Sequence, residues 1–376
     1  MFAIFAPFAV KITTDTPWVG QKFSSSSLTV LPSPSIIRYE RTASRPPLSR
    51  SWLPLQVAFG AEGERSLWEG RVFRFLPGEP NDNLWRGRRR AEKEEKTHLI
   101  GGFMVDLHGR VAIVTGASRG VGKGIALGLG EAGATVYVTG RTVDDSRLPP
   151  FLKGTTVQQS AQEVSLRGGV GIAHPCDLGD DAQMEELFQR VSREQGRLDL
   201  LVNNAWSAAD HILGGYFFGT PFWEQPLSLW DDLMNVGLRC HYAASRWAAR
   251  MMVPKGEGLM VNISYYGSRH YMNNVVYGVR QGAIDKLSAD MAHELAPFNV
   301  CSLSLYPGVV RTEGMVAAAS FDSGIDLSGS ESPLFVGRCV AALCREKDRS
   351  AYNGTILYTA DLGRLYGIEE ENGFRP

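Results

Sequence analysis

From Val105 onward the chain alternates short apolar runs with longer stretches in which apolar residues recur every three or four positions. The runs occupy 110–115, 134–139, 169–173, 198–202, 258–264, 300–306 and 354–359; helical spacing fills 121–132, 181–196, 229–252 and 276–297. A strand that is apolar at nearly every position has both faces covered, the condition of a parallel sheet between two helical layers. The pattern predicts a Rossmann-type, doubly wound α/β domain: a seven-stranded parallel sheet with helices on both faces. Ligands of such sheets bind beyond the carboxyl ends of the strands. Residues 206–228 break the rhythm, and an irregular stretch of that length inside a compact domain is expected to be a functional loop.

Residues 1–103 read differently. Proline, serine and arginine recur, apolar periodicity is poor, and RGRRRAEKEEK at 86–96 is a block of solvated charge. Three readings of this extension stand open. It is a short apolar leader at 1–10, a transit segment with six Lys/Arg in its first sixty residues, or a disordered or upstream segment ahead of a domain spanning 104–376. The formal net charge of −1 gives no argument for a nucleic-acid partner, and no run approaches the ~18 apolar residues of a membrane-spanning helix. Five cysteines without C-x-x-C spacing read as reduced thiols, and no metal site is expected. These features suit an intracellular protein, soluble or at a membrane surface, with organelle targeting left open.

The candidate chemistry is concentrated in 112–141, AIVTGASRGVGKGIALGLGEAGATVYVTGR. Strand, glycine turn, helix and second strand follow one another there, the minimal βαβ unit for holding a dinucleotide. Gly116 allows a tight turn, and Gly120 and Gly122 let backbone and helix N-terminus approach a pyrophosphate; Ser118, Arg119 and Val121 complete the loop. A P-loop is excluded, because Ala117 and Gly124 stand where it requires glycine and Ser/Thr. The acidic residue that selects NAD after the second strand is absent: Gly140 is followed by Arg141. Arg141 and Arg119 suit a 2′-phosphate in charge and geometry, so NADP(H) is the expected cofactor.

The T-G-x3-G-x-G spacing resembles the short-chain dehydrogenase/reductase family. The resemblance implies that Asp177 and Leu178 contact adenine and that Asn204 and Ala205 belong to an N-N-A-G turn, with Trp206 replacing its glycine. It implies that Pro307, Gly308, Val310 and Thr312 of P-G-x-x-x-T hold the nicotinamide amide. It also implies a catalytic set of Ser thirteen residues before a Tyr, Asn about forty before, and Lys four after. Ser264 stands thirteen and Asn235 forty-two residues before Tyr277, but Gln281 takes the lysine position. In the family that ammonium bonds the nicotinamide ribose and lowers the tyrosine pKa; glutamine keeps only the hydrogen bonding. A cation ~5 Å from a phenol is worth about 3 kcal/mol at an effective dielectric near 20, or about two pKa units. Arg280, at i+3 from Tyr277, either supplies part of that field or points to solvent.

The expected activity is NADPH-dependent reduction of a lipophilic ketone, aldehyde or quinone, weakened by Gln281. Tyr277 is its acid, Ser264 polarises the carbonyl, and Asn235 orders the helix and a relay water. The alternative is a catalytically silent NADP(H)-binding relative. Trp206, Tyr216, Phe217, Phe218, Phe222, Trp223, Tyr265 and Tyr266 are the candidate pocket residues. The family further implies a homo-oligomer built through the helices at 229–252 and 276–297.

Overall fold

Seven strands run parallel in one sheet: β1 (Val111–Val114), β2 (Thr135–Gly140), β3 (Val170–Pro175), β4 (Leu200–Asn203), β5 (Gly258–Ile263), β6 (Val300–Tyr306) and β7 (Ile356–Tyr358). Their order is β3-β2-β1-β4-β5-β6-β7. The computed structural model describes residues 105–321, 325–370 and 373, so the extension read at 1–103 lies outside the described residues. The helices are α1 (Gly120–Glu131), α2 (Val157–Leu166), α3 (Asp181–Gln195), α4 (Ala209–Leu213), α5 (Leu227–Met234), α6 (Cys240–Met252), α7 (Val275–Leu295), α8 (Glu313–Phe321), α9 (Pro333–Arg345) and α10 (Thr359–Tyr366).

Successive strand residues serve opposite cores, which is why the central strands are apolar at most positions on both faces. Val111, Ile113, Leu201 and Met260 share a cluster with Leu187, Val191 and Met252 of α3 and α6. Ala112, Val114, Leu200, Val202, Leu259 and Val261 share the other with Ile125, Leu129, Val164 and Val340 of α1, α2 and α9. Each fully buried Leu or Val contributes about 1.5–3 kcal/mol over its exposed state. Local signals end the helices where the sheet needs them to end. Thr156 and Gln159 form a capping box at the start of α2, Asp180 caps the first N–H groups of α3, and Gly196 stops α3 in the left-handed region at φ +63°.

Two segments depart from the periodicity. The single helix expected over 229–252 is α5 and α6 joined by a π-helical turn, Asn235–Arg239. One extra residue in that turn rotates the following face, and the candidate site depends on it. The irregular stretch 206–228 contains α4, whose His211 bonds Asp232 of α5 at 2.8 Å. The sheet order reverses between β1 and β4, so the crevice at their carboxyl ends is where a ligand belongs.

Helices α1 and α9 pack backbone to backbone. A Cβ on Gly128 would lie 2.4 Å from the carbonyl carbon of Gly337, and one on Gly124 2.1 Å from that of Pro333. No side-chain motion relieves such a contact. Gly128→Val is expected to lower stability by at least about 2 kcal/mol in denaturant unfolding. Gly314→Ala, in α8 with open space around it, should be neutral or slightly stabilising; equal effects would refute this account of the helix pair.

Candidate active site

The glycine turn is held from behind by the end of β4. The Asn204 side-chain amide donates to the carbonyls of Thr115 (2.9 Å) and Gly116 (3.2 Å), while the N–H groups of Asn204 and Ala205 reach the Thr115 hydroxyl. Gly116 and Gly120 both occupy the left-handed region, and a Cβ on Gly122 would lie 2.4 Å from the Asn204 amide nitrogen. Ser118 is buried, its carbonyl accepting from Ser160 (3.1 Å), and Val121 packs against the core. The turn is therefore pressed as close as backbone allows, with the N-terminus of α1 open toward the crevice.

That terminus already holds an anion. The Glu313 carboxylate accepts from the Gly120 N–H at 3.0 Å, standing in for a phosphate oxygen. Arg119 is bonded to the Thr142 hydroxyl; burial lowers its pKa, the Glu313 carboxylate opposes this, and the nearby Arg141 charge adds a smaller lowering. Arg141 reaches Ser207 at 3.4 Å and the Asp177 carboxylate at 4.0 Å. Asp177 also accepts from the Gly179 N–H, whereas the Leu178 side chain is buried in the core beneath α3. A glycine cradle, a helix terminus that takes a carboxylate and two adjoining cations fit the pyrophosphate and ribose of a dinucleotide.

On the other side of the crevice, Pro307 is buried and Gly308, Val310 and Thr312 follow β6. Sequence reasoning missed what holds them. Glu331, buried, accepts from the Gly308 N–H and from the Thr359 hydroxyl, and its backbone bonds Val309 and Arg311. Burial pushes its carboxyl pKa up. Glu370, also buried, pairs with Arg311 at 3.4 Å. The Thr312 side chain lies across from Gly120, so the two halves of the cradle face each other.

Tyr277 is in the first turn of α7, where the Asn274 side chain caps its N–H at 2.8 Å and also ties down the Phe217 carbonyl. Its ring meets Trp206 and Phe217 edge-on, with centroids 6.4 and 5.9 Å away. Gly267 presses on the ring from behind; a Cβ there would approach within 2.7 Å. The Gln281 side-chain amide donates to the phenol oxygen at 3.0 Å. Burial pushes the phenol pKa up, with the Arg280 charge and the Gln281 hydrogen bond opposing. Tyr277 is thus a protonated acid at neutral pH.

Arg280 does not face solvent. It is buried, with Nε on the Gly237 carbonyl (2.9 Å), one terminal nitrogen on the Gln281 side-chain oxygen (2.8 Å) and the other toward the Ala205 carbonyl (3.4 Å). Burial lowers its pKa to about 10, which leaves it charged at neutral pH.

Two expected partners are not brought to the phenol. Asn235 is exposed, beside Trp230 and Arg239 on a surface depression, and its carbonyl is taken by the Cys240 N–H of the π turn. The turn instead aims the carbonyl of Gly237, forty residues before Tyr277, into the site. Ser264 is buried, but its hydroxyl donates to the main-chain carbonyl of Gln281 (3.3 Å). The adjacent Tyr265 is partly buried, and burial pushes its pKa up.

The short chain dehydrogenase family model matches residues 110–322. The chain belongs to the short-chain dehydrogenase/reductase family. It is 43% identical over 281 residues to human dehydrogenase/reductase SDR family member 1, covering 72% of this chain and 85% of that relative. The mouse protein of the same name is 42% identical over 285 residues, covering 73% and 87%. A metagenomic short-chain oxidoreductase solved in complex with NADP superposes with a TM-score of 0.53 at 28% identity, over 67% of this chain and 97% of that one. As a short-chain dehydrogenase/reductase, the chain has an oxidoreductase fold that takes a nicotinamide dinucleotide. Among the described residues no helix is long and apolar enough to cross a membrane.

Of the aromatic pocket candidates of this short-chain dehydrogenase/reductase, Trp206 and Phe217 meet the Tyr277 ring, Tyr265 packs on Tyr266, which also meets Tyr306 and Tyr358, and Tyr216, Phe218, Phe222 and Trp223 are exposed. All five cysteines are buried free thiols. His241 is a core residue that no spacing marked. Its Nε2 donates to the Ala205 carbonyl at 3.0 Å, and burial with the Arg280 charge lowers its pKa to about 3. The folded state thus holds it neutral, whereas the unfolded chain protonates it near 6.5. Its contribution to stability is complete above pH 6.5 and is lost as pH falls toward 3. Melting temperature is expected to drop across that window, and His241→Gln to flatten the slope; an unchanged slope would assign the acid sensitivity elsewhere.

Proposed function

We propose that this chain is an NADPH-dependent reductase of lipophilic ketones, aldehydes or quinones, with Tyr277 as proton donor. The observation that carries the reading is the Tyr277 phenol, kept protonated by burial and flanked by Trp206 and Phe217 at the crevice that the glycine turn opens. When bound, the dinucleotide supplies hydride to the carbonyl carbon. Tyr277 gives its phenolic proton to the carbonyl oxygen, yielding the alcohol, and water returns a proton to the phenolate. Ser264 holds the α7 backbone at Gln281 through its hydroxyl. Gly116, Gly120 and Gly122 would cradle the pyrophosphate, displacing Glu313, and Pro307, Gly308, Val310 and Thr312 would face the nicotinamide.

The preference for NADPH rests on Arg119 and Arg141, two neighbouring cations that suit a 2′-phosphate dianion in charge and geometry. The relative solved in complex with NADP accords with it. The apolar flank of the phenol argues for a lipophilic carbonyl.

A second reading, a silent NADP(H)-binding protein, is favoured by one observation: Tyr277 alone of the four family positions keeps both residue type and a place at the reacting phenol. The two readings part in one assay, NADPH oxidation over a panel of lipophilic carbonyls alongside NADPH binding by fluorescence. Turnover is expected, with Tyr277→Phe lowering kcat by about 10²- to 10⁴-fold at unchanged NADPH affinity. Arg141→Ala should weaken NADPH by about ten-fold or more and leave NADH unaffected. Binding without turnover on any carbonyl establishes the silent protein; failure to bind either dinucleotide rejects both.

A further inference from the structure

We propose that Arg280, Gln281 and Gly237 act as one relay that replaces the ammonium at position 281: the buried guanidinium fixes the Gln281 amide, and the amide turns the Tyr277 hydroxyl outward as a proton donor. The inference rests on the reading of Tyr277 as the acid.

A guanidinium carries only donors, so the side-chain oxygen of Gln281 must be the atom facing Arg280, as the 2.8 Å contact has it. The nitrogen of the same amide is then committed to the phenol oxygen, 3.0 Å away. Because that oxygen already accepts from the helix side, its own hydrogen is directed away from α7. Without Arg280 the amide would be free to flip and take the phenolic proton as an acceptor. The relay thus does two things that a lone glutamine does not: it sets the polarity of the hydrogen bond, and it brings a full positive charge within one side chain of the phenol.

Gly237 is the third member because space decides it. A Cβ there would lie 2.2 Å from Arg280 Nε and 2.9 Å from its Cδ. Any other residue at 237 would expel the guanidinium and break its bond to the 237 carbonyl. The π turn is what brings this glycine to the site. The surroundings add no competing charge. The titratable groups facing Arg280 are Tyr277, Cys240 and His241, and those facing Tyr277 are Arg280 and Tyr265. Burial keeps His241 neutral and the Cys240 thiol protonated. During reduction the Tyr277 O–H bond breaks as the carbonyl oxygen takes the proton, and the phenolate is held by the Gln281 N–H until water re-protonates it.

The test compares Gln281→Glu and Arg280→Met with the native full chain. The phenol is titrated by tyrosinate absorbance without dinucleotide, as the difference from a Tyr277→Phe background, and kcat and KM are measured separately. Gln281→Glu keeps Arg280 partnered, so it is expected to fold. It should nevertheless raise the phenol pKa by about one unit or more and lower kcat about ten-fold or more, because net positive charge is lost and a carboxylate now accepts the phenolic proton. Arg280→Met should do the same with KM little changed; should it fail to fold, Gln281→Glu decides alone. A merely structural role predicts the reverse: a carboxylate pairs with Arg280 better than an amide, so the melting temperature rises while titration and kcat stay as they were. That result would overturn the relay. The two readings fail separately. A shifted titration with no turnover by the native chain sinks the reductase and leaves the relay, whereas turnover with an unshifted titration sinks the relay and leaves the reductase.

Discussion

A guanidinium removed from water must find acceptors for its N–H groups, and that requirement organises the catalytic half of this protein. Desolvating an ion costs several kcal/mol, and only well-placed partners offset it. Arg280 finds three, from three elements: the Ala205 carbonyl after β4, the Gly237 carbonyl in the π turn and the Gln281 side chain on α7. The end of one strand, the π turn and helix α7 are thereby pinned around one buried charge. The Ala205 carbonyl is shared with His241, which links the same point to the polar network of Asn203, Ser245 and Asn262 beneath it. A change at any one acceptor leaves a charge unpaired, so these positions are coupled through electrostatics more than through packing.

The dinucleotide half obeys a different constraint, close approach of backbone to backbone. Asn204 donates to two carbonyls of the glycine turn and occupies the space a Cβ at Gly122 would need. The same glycine helix meets α9 at Gly128 and Gly337 with no side chain between them. The N-terminus of α1 is therefore rigidly placed with its N–H groups exposed to the crevice, and Glu313 shows that a negative group settles there. Buried Glu331 performs the matching service for the opposite wall by holding Gly308 and the backbone beside it. Both walls are fixed by hydrogen bonds from outside the motifs themselves.

Fold and site are legible in the amino-acid sequence wherever the determinant is local. The seven apolar runs coincide with the seven strands because a strand covered by helices on both faces is apolar at most positions, whatever its neighbours. The glycine turn is legible because only glycine readily tolerates the conformations at 116 and 120. Tyr277 and Gln281 are placed together because they lie four apart on one helix. Asn235 is misplaced by sequence reasoning for a physical reason: the π turn adds one residue to a helix whose apolar periodicity reads as continuous, and a rotation of that kind leaves no trace in residue type. Gly237 is the available signal, a glycine inside a helical stretch forty residues before the tyrosine.

The chain by itself determined the sheet, the order of motifs along it, the glycine turn and the pairing of Tyr277 with Gln281, because each depends on propensity, periodicity or spacing within a few residues. Only the tertiary structure decided where charges and hydroxyl groups point. Whether Arg280 reached solvent or the core depended on Gly237, forty-three residues earlier, leaving room for it. Where the Ser264 hydroxyl points depended on how β5 ends against α7. Such orientations follow from the meeting of surfaces distant in the chain, and no local pattern encodes them.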